Sequence, residues 1–427
     1  LSGVVLASID LGDSLEGANL SGANLIGANL DGLGLRQANL ANTFLTNASF
    51  GGADLQEARL EGVQATGARF DSANLSTARL AGNFIEANFT AAQLQNADLS
   101  GANLSRATLS GVNAQGATFQ GAVLVDANLS GSVLNNANLS GAQLAEASLI
   151  DSMLVGAVLE GASLKNSNLT GANLSNANLL EADLEGADLA RASFEGAIFS
   201  LPSDFDPAAV REELVRLRER LLEGPQAWDN GDLRSVRDTI ERYRALPERE
   251  DIRHVRNLSR ARNLGEANLQ QALFIGYRED LDVSRIADSL RGIVLAGANL
   301  EEAELDGLDL SETILVGANL EEADLEGANL TNALLSGANL EDANLEGAIL
   351  TGADFRMANL DGTRLDLAST QIEEKWRIVW EIMNQGGARR DLRAGKTDLP
   401  AGSSPTGPRS AAAALPAPLA RRSLYPK

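Results

Sequence analysis

Leucine or phenylalanine recurs at every fifth residue over most of the chain. The stretch GANLSGANLIGANL, residues 17–30, places Leu20, Leu25 and Leu30 five residues apart, each with an alanine two positions earlier. An α-helix repeats its apolar positions about every 3.6 residues and a half-buried strand at every second residue, so the period fits neither. The small and large apolar positions alternate by two and three residues, which predicts a short straight side followed by a tight corner.

The five-residue period is itself organised in blocks of twenty. GANLEEAEL, GANLEEADL and GANLEDANL begin twenty residues apart, and they carry Leu300, Leu320 and Leu340. Four sides therefore predict one coil, with these three leucines stacked on one face and neighbouring coils about 4.8 Å apart. Low-complexity disorder is the alternative, but it predicts few large apolar residues.

The repeats resemble the pentapeptide repeat family, whose motif centres on A-[D/N]-L-x-x. The motif appears here as Ala-Asn-Leu at 23–25 and as Ala-Asp-Leu at 53–55, 97–99 and 323–325. This resemblance, which covers about two-thirds of the chain, implies a right-handed quadrilateral β-helix. The predicted fold class is an all-β solenoid of this kind, interrupted by an α-helical insertion and closed by a C-terminal α-helix.

A helical insertion interrupts the repeats after Phe199. Asp206 is a suitable N-cap and Pro207 a suitable first helical residue, and the helix should end at Gly224. A second helix is expected after Asp232. The apolar stripes of the two helices are Val210, Leu214, Leu217 and Leu221, and Leu233, Val236, Ile240 and Tyr243. We expect a hairpin that protrudes from the rod.

The period returns briefly at Leu264, Leu269 and Phe274 and fully from Leu295 to Leu365. We therefore predict one solenoid, with two independent rods as the alternative. The predicted segments are a β-helix over 1–201, a helical insertion over 202–261, a β-helix over 262–366 with a loop at 275–290, an amphipathic helix over 367–386, and an Ala/Pro-rich basic tail over 387–427.

The amphipathic helix has a capping-box spacing between Thr370 and Glu373. Its apolar face consists of Ile372, Trp376, Val379, Trp380 and Met383. An open β-helix end exposes strand edges and core, so the helix is predicted to be a cap. The competing interpretation is a partner-docking or dimer helix, since large aromatic residues also mark binding hot spots. KWRIVWEIMNQG resembles a segment of cyanobacterial pentapeptide repeat proteins.

Charge is the most specific feature of the surface. The chain has a formal charge of −23 and a pI near 4.5, which argues against direct binding to nucleic acid or anionic membranes. Residues 290–366 hold 16 acidic and 3 basic residues. The acids that follow the twenty-residue period are Glu301, Glu302, Glu321, Glu322, Glu341 and Asp342 on one predicted face, and Asp306, Glu326 and Glu346 on the next. These ladders are either a solvated face or a dock for a basic partner or for the chain's own tail.

Candidate chemistry is sparse. There is no cysteine, and the sole histidine, His254, lies among arginines without a serine or carboxylate constellation, so we expect it on an exposed helix or loop. The glycines recur as corners and form no phosphate loop. Carboxylates suit calcium, but no compact loop suggests a dedicated site. We therefore predict no enzyme, no catalytic residue, no cofactor and no metal.

The sequence also bears on location. No run approaches the roughly 20 apolar residues of a membrane span, and the first residues lack a signal pattern. Because the sequence begins at Leu1, we expect a processed or partial chain. We predict a cytoplasmic protein, with the cytoplasmic side of a photosynthetic membrane as the specific site.

Two functions follow as hypotheses. The leading one is a rigid acidic scaffold that organises other proteins in a large assembly, with the light-harvesting antenna, or phycobilisome, as a host and a homodimer through the C-terminal helix as a further expectation. Besides the six carboxylates of the first ladder, the candidate contact residues are Trp376, Trp380, Arg216 and Arg220. The alternative, which the family resemblance implies, is a DNA-mimicking inhibitor or protector of a type II topoisomerase. The insertion and the basic tail fit this alternative less well.

Overall fold

The structure is a computed structural model that describes residues 14–223, 230–246, 249–262, 264, 267–277, 290–373 and 375–376, without the side chains of 222, 223, 230–233 and 259. Within these ranges the chain forms stacked coils and one helical hairpin. The regular elements in chain order are β1 (Ile198–Pro202), α1 (Pro207–Glu223), α2 (Asn230–Arg244), β2 (Ile252–His254), a 3-10 turn (Leu258–Arg260) and β3 (Leu273–Phe274).

The coils repeat every twenty residues, as the sequence predicts. Asn319 forms parallel bridges with Asn299 below and Asn339 above, and most bridges from Ser14 onward have the same offset. The leucines at 300, 320 and 340 are at most 3% exposed. The leucine and phenylalanine side chains therefore fill the interior of a four-sided coil, and alanine lets the walls approach.

Each corner is a β-turn that explains the polar residues of the repeat. In the turn 320–323, the amide of Ala323 donates to the carbonyl of Leu320 at 3.2 Å. Its third residue, Glu322, has φ near +57°. That geometry favours Gly or Asn as the third turn residue. The side chain of Asn319 also accepts a hydrogen bond from the Glu321 amide at 3.3 Å, so Asn and Asp before the leucine stabilise the corner.

The four-residue step between Leu80 and Phe84 shortens one coil. Gln64 bridges Asn83, nineteen residues away, whereas Asn83 bridges Asn103 at the usual twenty. A β-carbon on Gly82 would lie 2.7 Å from Cγ2 of Val63, so the shortened corner requires glycine. Phe84 stays in the core despite the deletion.

The chain after the hairpin rejoins the coil that it left. β1 pairs antiparallel with β2, with Ser200 opposite His254, and parallel with β3, with Ile198 opposite Leu273. Leu273 in turn bridges Val294, the start of the next coil. The two repeat segments therefore contact each other through one shared coil, which we call the junction coil (252–274).

Two sequence expectations fail in the junction coil. Residues 252–261, which we predicted to be part of the helical insertion, lie in the coil, because Arg256 bridges Asp183 of the preceding coil. His254 is a half-buried strand residue that packs edge-on against Tyr277 at a ring distance of 6.0 Å, not an exposed helix or loop residue. Of the predicted loop 275–290, residues 275–277 continue the coil, and 278–289 lie outside the described residues.

The expectation of a protruding hairpin is wrong, because α1 and α2 lie flat on one face of the solenoid. Asp206 caps α1 by accepting from the amide of Ala209 at 2.8 Å, and α2 begins at Asn230, three residues before the expected start. The helices and the face share a second apolar cluster that includes Leu180, Ile198, Leu201, Val210, Leu214, Leu217, Leu221, Val236, Ile240, Tyr243, Leu246, Val294, Ile314 and Leu334. Burial of this apolar cluster holds the hairpin against the face of the solenoid.

The described part of the C-terminal segment closes the last coil, but not through a capping box. The hydroxyl of Thr370 donates to the carbonyl of Leu345 at 3.0 Å and accepts from the amide of Gly347 at 3.1 Å. The Glu373 carboxylate accepts from the amide of Gly352 at 3.2 Å. Both side chains thus satisfy coil corners instead of a helix N-terminus. The predicted contributions of Val379, Trp380, Met383 and the basic tail lie outside the described residues.

Candidate partner-binding faces

The acidic ladder consists of Glu301, Glu302, Glu321, Glu322, Glu341 and Asp342, and it occupies one face over three successive coils. The amide of Glu302 donates to the carbonyl of Glu321, and that of Glu322 to Glu341, both at 2.9 Å. All six are exposed except Glu321, which is half-buried. The twenty-residue period therefore does bring these carboxylates into register.

A column of asparagines holds part of the ladder in place. Asn339 donates through Nδ2 to the side-chain oxygen of Asn319 at 3.1 Å and to the Glu321 carboxylate at 3.1 Å. Asn359 donates in the same way to the Glu341 carboxylate, also at 3.1 Å. The first carboxylate of each pair is therefore oriented by an amide from the coil above, whereas the second points from the corner into solvent.

A second acidic face adjoins the first. Asp306, Glu326 and Glu346 are exposed at equivalent positions of successive coils. Asn344 donates to Asp324 at 2.9 Å and to Glu326 at 3.4 Å, so one asparagine supports this face too. One coil presents four exposed carboxylates across the two faces, namely Glu301, Glu302, Glu304 and Asp306.

The hairpin covers the face that precedes the acidic ladder in each coil. The outward bridging position of this face is apolar, with Val294, Ile314 and Leu334 in successive coils. The equivalent position of the ladder face holds Asn299, Asn319 and Asn339. The hairpin therefore shields the apolar face and leaves the two acidic faces open. The remaining face has an ion pair between Arg291 and Glu312.

Sequence reasoning missed the glycines beneath the hairpin. Gly297, Gly317 and Gly337 form a row on the hairpin face, and a β-carbon on any of them would lie within 2.5 Å of α2 or of the residues at its end. The three apolar residues at 294, 314 and 334 were the available signal, because they break the polar pattern at twenty-residue spacing.

The predicted arginines line a groove between the two helices. Arg216 and Arg220 border this groove, of about 420 Å³, together with Glu212, Glu213 and Arg242. Arg216 is 69% exposed and pairs with Glu212 on its own helix, while Arg242 pairs with Glu213. The hydroxyl of Tyr243 donates to Glu213 at 3.1 Å, and burial, followed by the charge of Glu213, raises the pKa of Tyr243. Arg242 and Tyr243 thus join the two helices, whereas the Arg216 ion pair lies within α1.

Trp376 lies at the end of the solenoid, away from the acidic ladder. Its ring packs edge-on against Phe355 at 5.9 Å, and the Lys375 ammonium lies 5.2 Å from its centre. It borders a cavity of about 430 Å³ with Leu221 and Arg356. The predicted site residues thus form three separate groups: the acidic ladder, the arginines of α1, and Trp376. Trp380 lies outside the described residues.

The described ranges hold neither a cluster of metal ligands nor a membrane-spanning helix. No cluster of three or more His, Asp or Glu side chains there is arranged to hold a metal ion. In the same part of the chain, no helix has both the length and the apolar character needed to cross a membrane.

Comparison with known families identifies the repeats. The family described as pentapeptide repeats matches residues 14–47, 45–82, 87–124, 122–161, 162–200, 294–332 and 328–366, which together span more than half of the chain. The chain belongs to the pentapeptide repeat family. The predicted membership is confirmed, and the four-sided coils are those of the right-handed quadrilateral β-helix in which this family folds. The family indicates no catalytic activity.

Solved structures of pentapeptide repeat proteins also resemble this one. HetL, involved in heterocyst differentiation regulation in the cyanobacterium Nostoc sp. strain PCC 7120, is 23% identical over 85% of this chain and 90% of its own, with a TM-score of 0.18. A trypsin-treated form of QnrB1, a plasmid-mediated fluoroquinolone resistance protein, is 23% identical over 45% of this chain and 95% of its own, with a TM-score of 0.27. Rfr23 from the cyanobacterium Cyanothece 51142 is 41% identical over 25% of this chain and 61% of its own, with a TM-score of 0.16.

These likenesses carry no argument about function, because the TM-scores are low. No curated protein matches the chain.

Proposed function

We propose that this pentapeptide repeat protein is a non-enzymatic scaffold whose acidic faces bind basic surfaces of protein partners in a larger assembly. The observation that carries the proposal is the placement of the charge. Each of the three coils places three or four carboxylates on two adjoining open faces, and the hairpin covers the neighbouring apolar face.

The geometry of the acidic ladder suits recognition of a basic protein surface. The asparagine column orients Glu321 and Glu341 before any partner arrives, which lowers the entropy lost on binding. A concentrated negative field also speeds the approach of a basic partner, and salt screens that effect. The cohesion of the coils makes the ladder a rigid template rather than a mobile acidic tail.

The host that we propose for the scaffold is a photosynthetic light-harvesting complex on the cytoplasmic side of its membrane. The support is the likeness of KWRIVWEIMNQG to cyanobacterial pentapeptide repeat proteins. A homodimer through the C-terminal helix stays a prediction, because Trp380 lies outside the described residues.

A variant that removes charge but keeps shape tests the scaffold. The triple change Glu301→Gln, Glu321→Gln and Glu341→Gln preserves an oxygen acceptor for each asparagine. We expect wild-type protein, used as bait in a native extract and then with the purified partner, to retain that partner at about 50 mM salt and to release it at about 500 mM. Cross-links should lie within 301–346.

The triple variant should lose the partner. The matched control, Asp126→Asn with Glu146→Gln, removes exposed carboxylates from the same side of the rod outside the ladder and should retain it. Equal retention by the triple variant, or recovery of the bait alone, would reject the scaffold proposal.

Inhibition of a type II topoisomerase by DNA mimicry is the second candidate. Three or four carboxylates per coil of about 4.8 Å give roughly one charge per 1.2 to 1.6 Å, close to the roughly 1.7 Å of duplex DNA. The flat hairpin also removes the objection that a projection would obstruct a DNA-shaped surface. However, three ladder coils extend only about 10 Å, a fraction of the 34 Å helical turn. The short span favours the scaffold, and unaltered gyrase supercoiling at micromolar protein would eliminate this candidate.

A further inference from the structure

The junction coil is an irregular step of the solenoid. Its outward bridging positions Arg256, Arg262 and Asn268 are six residues apart, whereas their partners in the preceding coil, at 183, 188 and 193, are five apart. Asn257, with φ near +58°, opens a 3-10 turn within it. Each coil of a solenoid is stabilised mainly by its neighbours, so an irregular coil is a point at which two segments can unfold separately.

The hairpin is anchored on the near side of the junction coil. Arg211 of α1 donates through Nη2 to the carbonyl of Gly196, a corner of the preceding coil. Leu180 and Ile198, also from the first repeat segment, are buried in the apolar cluster that the hairpin covers.

The hairpin is also anchored three and four coils beyond the junction coil. Arg244 donates through Nε to the carbonyl of Gly337 at 3.0 Å and through Nη2 to that of Met357 at 2.8 Å. Arg356 donates to the carbonyl of Leu221, near the end of α1. These contacts join both helices to the second repeat segment.

The length of α1 matches the distance that it must bridge. Its 17 residues extend about 25 Å. The bridged positions beneath it are Ile198, Leu273, Val294, Ile314, Leu334 and Asp354. Five steps of about 4.8 Å between them amount to nearly the same length.

We propose that the hairpin is a strap that couples the two repeat segments, so that they unfold together despite the irregular junction coil. Opening the junction would require α1 to leave one of the two segments and expose the apolar cluster to water. The strap is independent of the partner proposed above, and it assigns the insertion a conformational role.

Hydrogen exchange of the full chain in increasing denaturant tests the strap. We expect wild-type peptides from 94–160 and from 300–360 to lose protection at one shared midpoint. Ile240→Asp places a charge in the apolar cluster and should undock α2, so that the midpoint of 300–360 falls while that of 94–160 stays in place. The control Val215→Asp, at a position 54% exposed on α1, should keep one shared midpoint.

Two wild-type midpoints, or midpoints of Ile240→Asp that remain shared, would overturn the strap. If Ile240→Asp leaves 300–360 unprotected without denaturant, the milder Arg244→Ala decides. This change removes the hydrogen bonds to Gly337 and Met357 and should separate the midpoints by a smaller interval; shared midpoints for it would reject the proposal.

Discussion

Gly317 lies directly beneath α2, so that a β-carbon on it would be 2.5 Å from the backbone nitrogen of Arg244. Its φ of +67° does not by itself demand glycine, since Glu302 and Glu322 adopt φ near +57° at equivalent corners. It is the close approach of α2 that requires glycine at this position. The glycine row of the hairpin face is therefore part of a groove that receives a helix, rather than a generic set of turn residues.

The glycine row gives a prediction with an internal control. Gly317→Ala and Gly307→Ala share nearly the same φ, but no atom lies within 4 Å of the β-carbon at 307. We expect Gly307→Ala to lower the free energy of unfolding by about 1–2 kcal/mol, the cost of positive φ. Gly317→Ala should lose a further amount of about 1–3 kcal/mol through overpacking. Denaturant unfolding measures both, and equal losses would contradict the close contact.

The repeat and its twenty-residue coil were predictable, because local spacing determines them. The contacts that define a coil are made within one repeat or with the equivalent residue one coil away. This holds for the leucines, the corner glycines and each Asn before a leucine. The buried positions of Leu300, Leu320 and Leu340 follow from that regularity.

The hairpin's place was not predicted, because it depends on contacts between residues about one hundred positions apart. Arg244 and Gly337 illustrate the problem, since neither is unusual alone. Outward Val294, Ile314 and Leu334 were visible in the sequence, however, and three apolar residues on one face predict a covering element. For Thr370 and Glu373 the sequence prediction relied too much on local spacing. Their capping-box spacing predicted a helix N-terminus, but both side chains bind amides at coil corners instead.

Thr370 makes the closure of the last coil testable. Thr370→Val keeps the shape of the side chain but leaves the Leu345 carbonyl and the Gly347 amide without their hydroxyl partner. We expect a loss of about 1–3 kcal/mol in the free energy of unfolding, the usual cost of an unsatisfied buried group. Ser369→Ala, at the exposed neighbouring position, should change it far less. Equal effects in thermal unfolding would show that the hydroxyl does not close the coil.

Acid should weaken the contact between the first repeat segment and the junction coil. Burial acts to raise the pKa of Asp183, but hydrogen bonds from Asn257, the Glu185 amide and Lys165 outweigh it, so the pKa is lowered from 3.8. The stabilisation from this carboxylate is therefore complete above its unfolded pKa and is lost as the pH falls through the lower folded value.

Asp183→Asn tests this pH dependence. The variant should be less stable than wild type near neutral pH, and its stability should fall less steeply from about pH 5 to about pH 2. Thr370→Val, which destabilises the protein without removing a titrating group, should retain the wild-type slope. Parallel curves for Asp183→Asn and wild type would contradict a role for the Asp183 charge in the contact.

The acidic ladder should cost the protein stability, because like charges on successive coils repel one another. The triple change of Glu301, Glu321 and Glu341 to Gln keeps the asparagine hydrogen bonds and removes the charge. We therefore expect a higher denaturant midpoint at about 20 mM salt, where the Debye length exceeds the coil spacing several-fold. The difference should shrink towards zero at about 1 M salt. A lower midpoint at low salt would mean that the carboxylates stabilise the coils, which would contradict repulsion along the ladder.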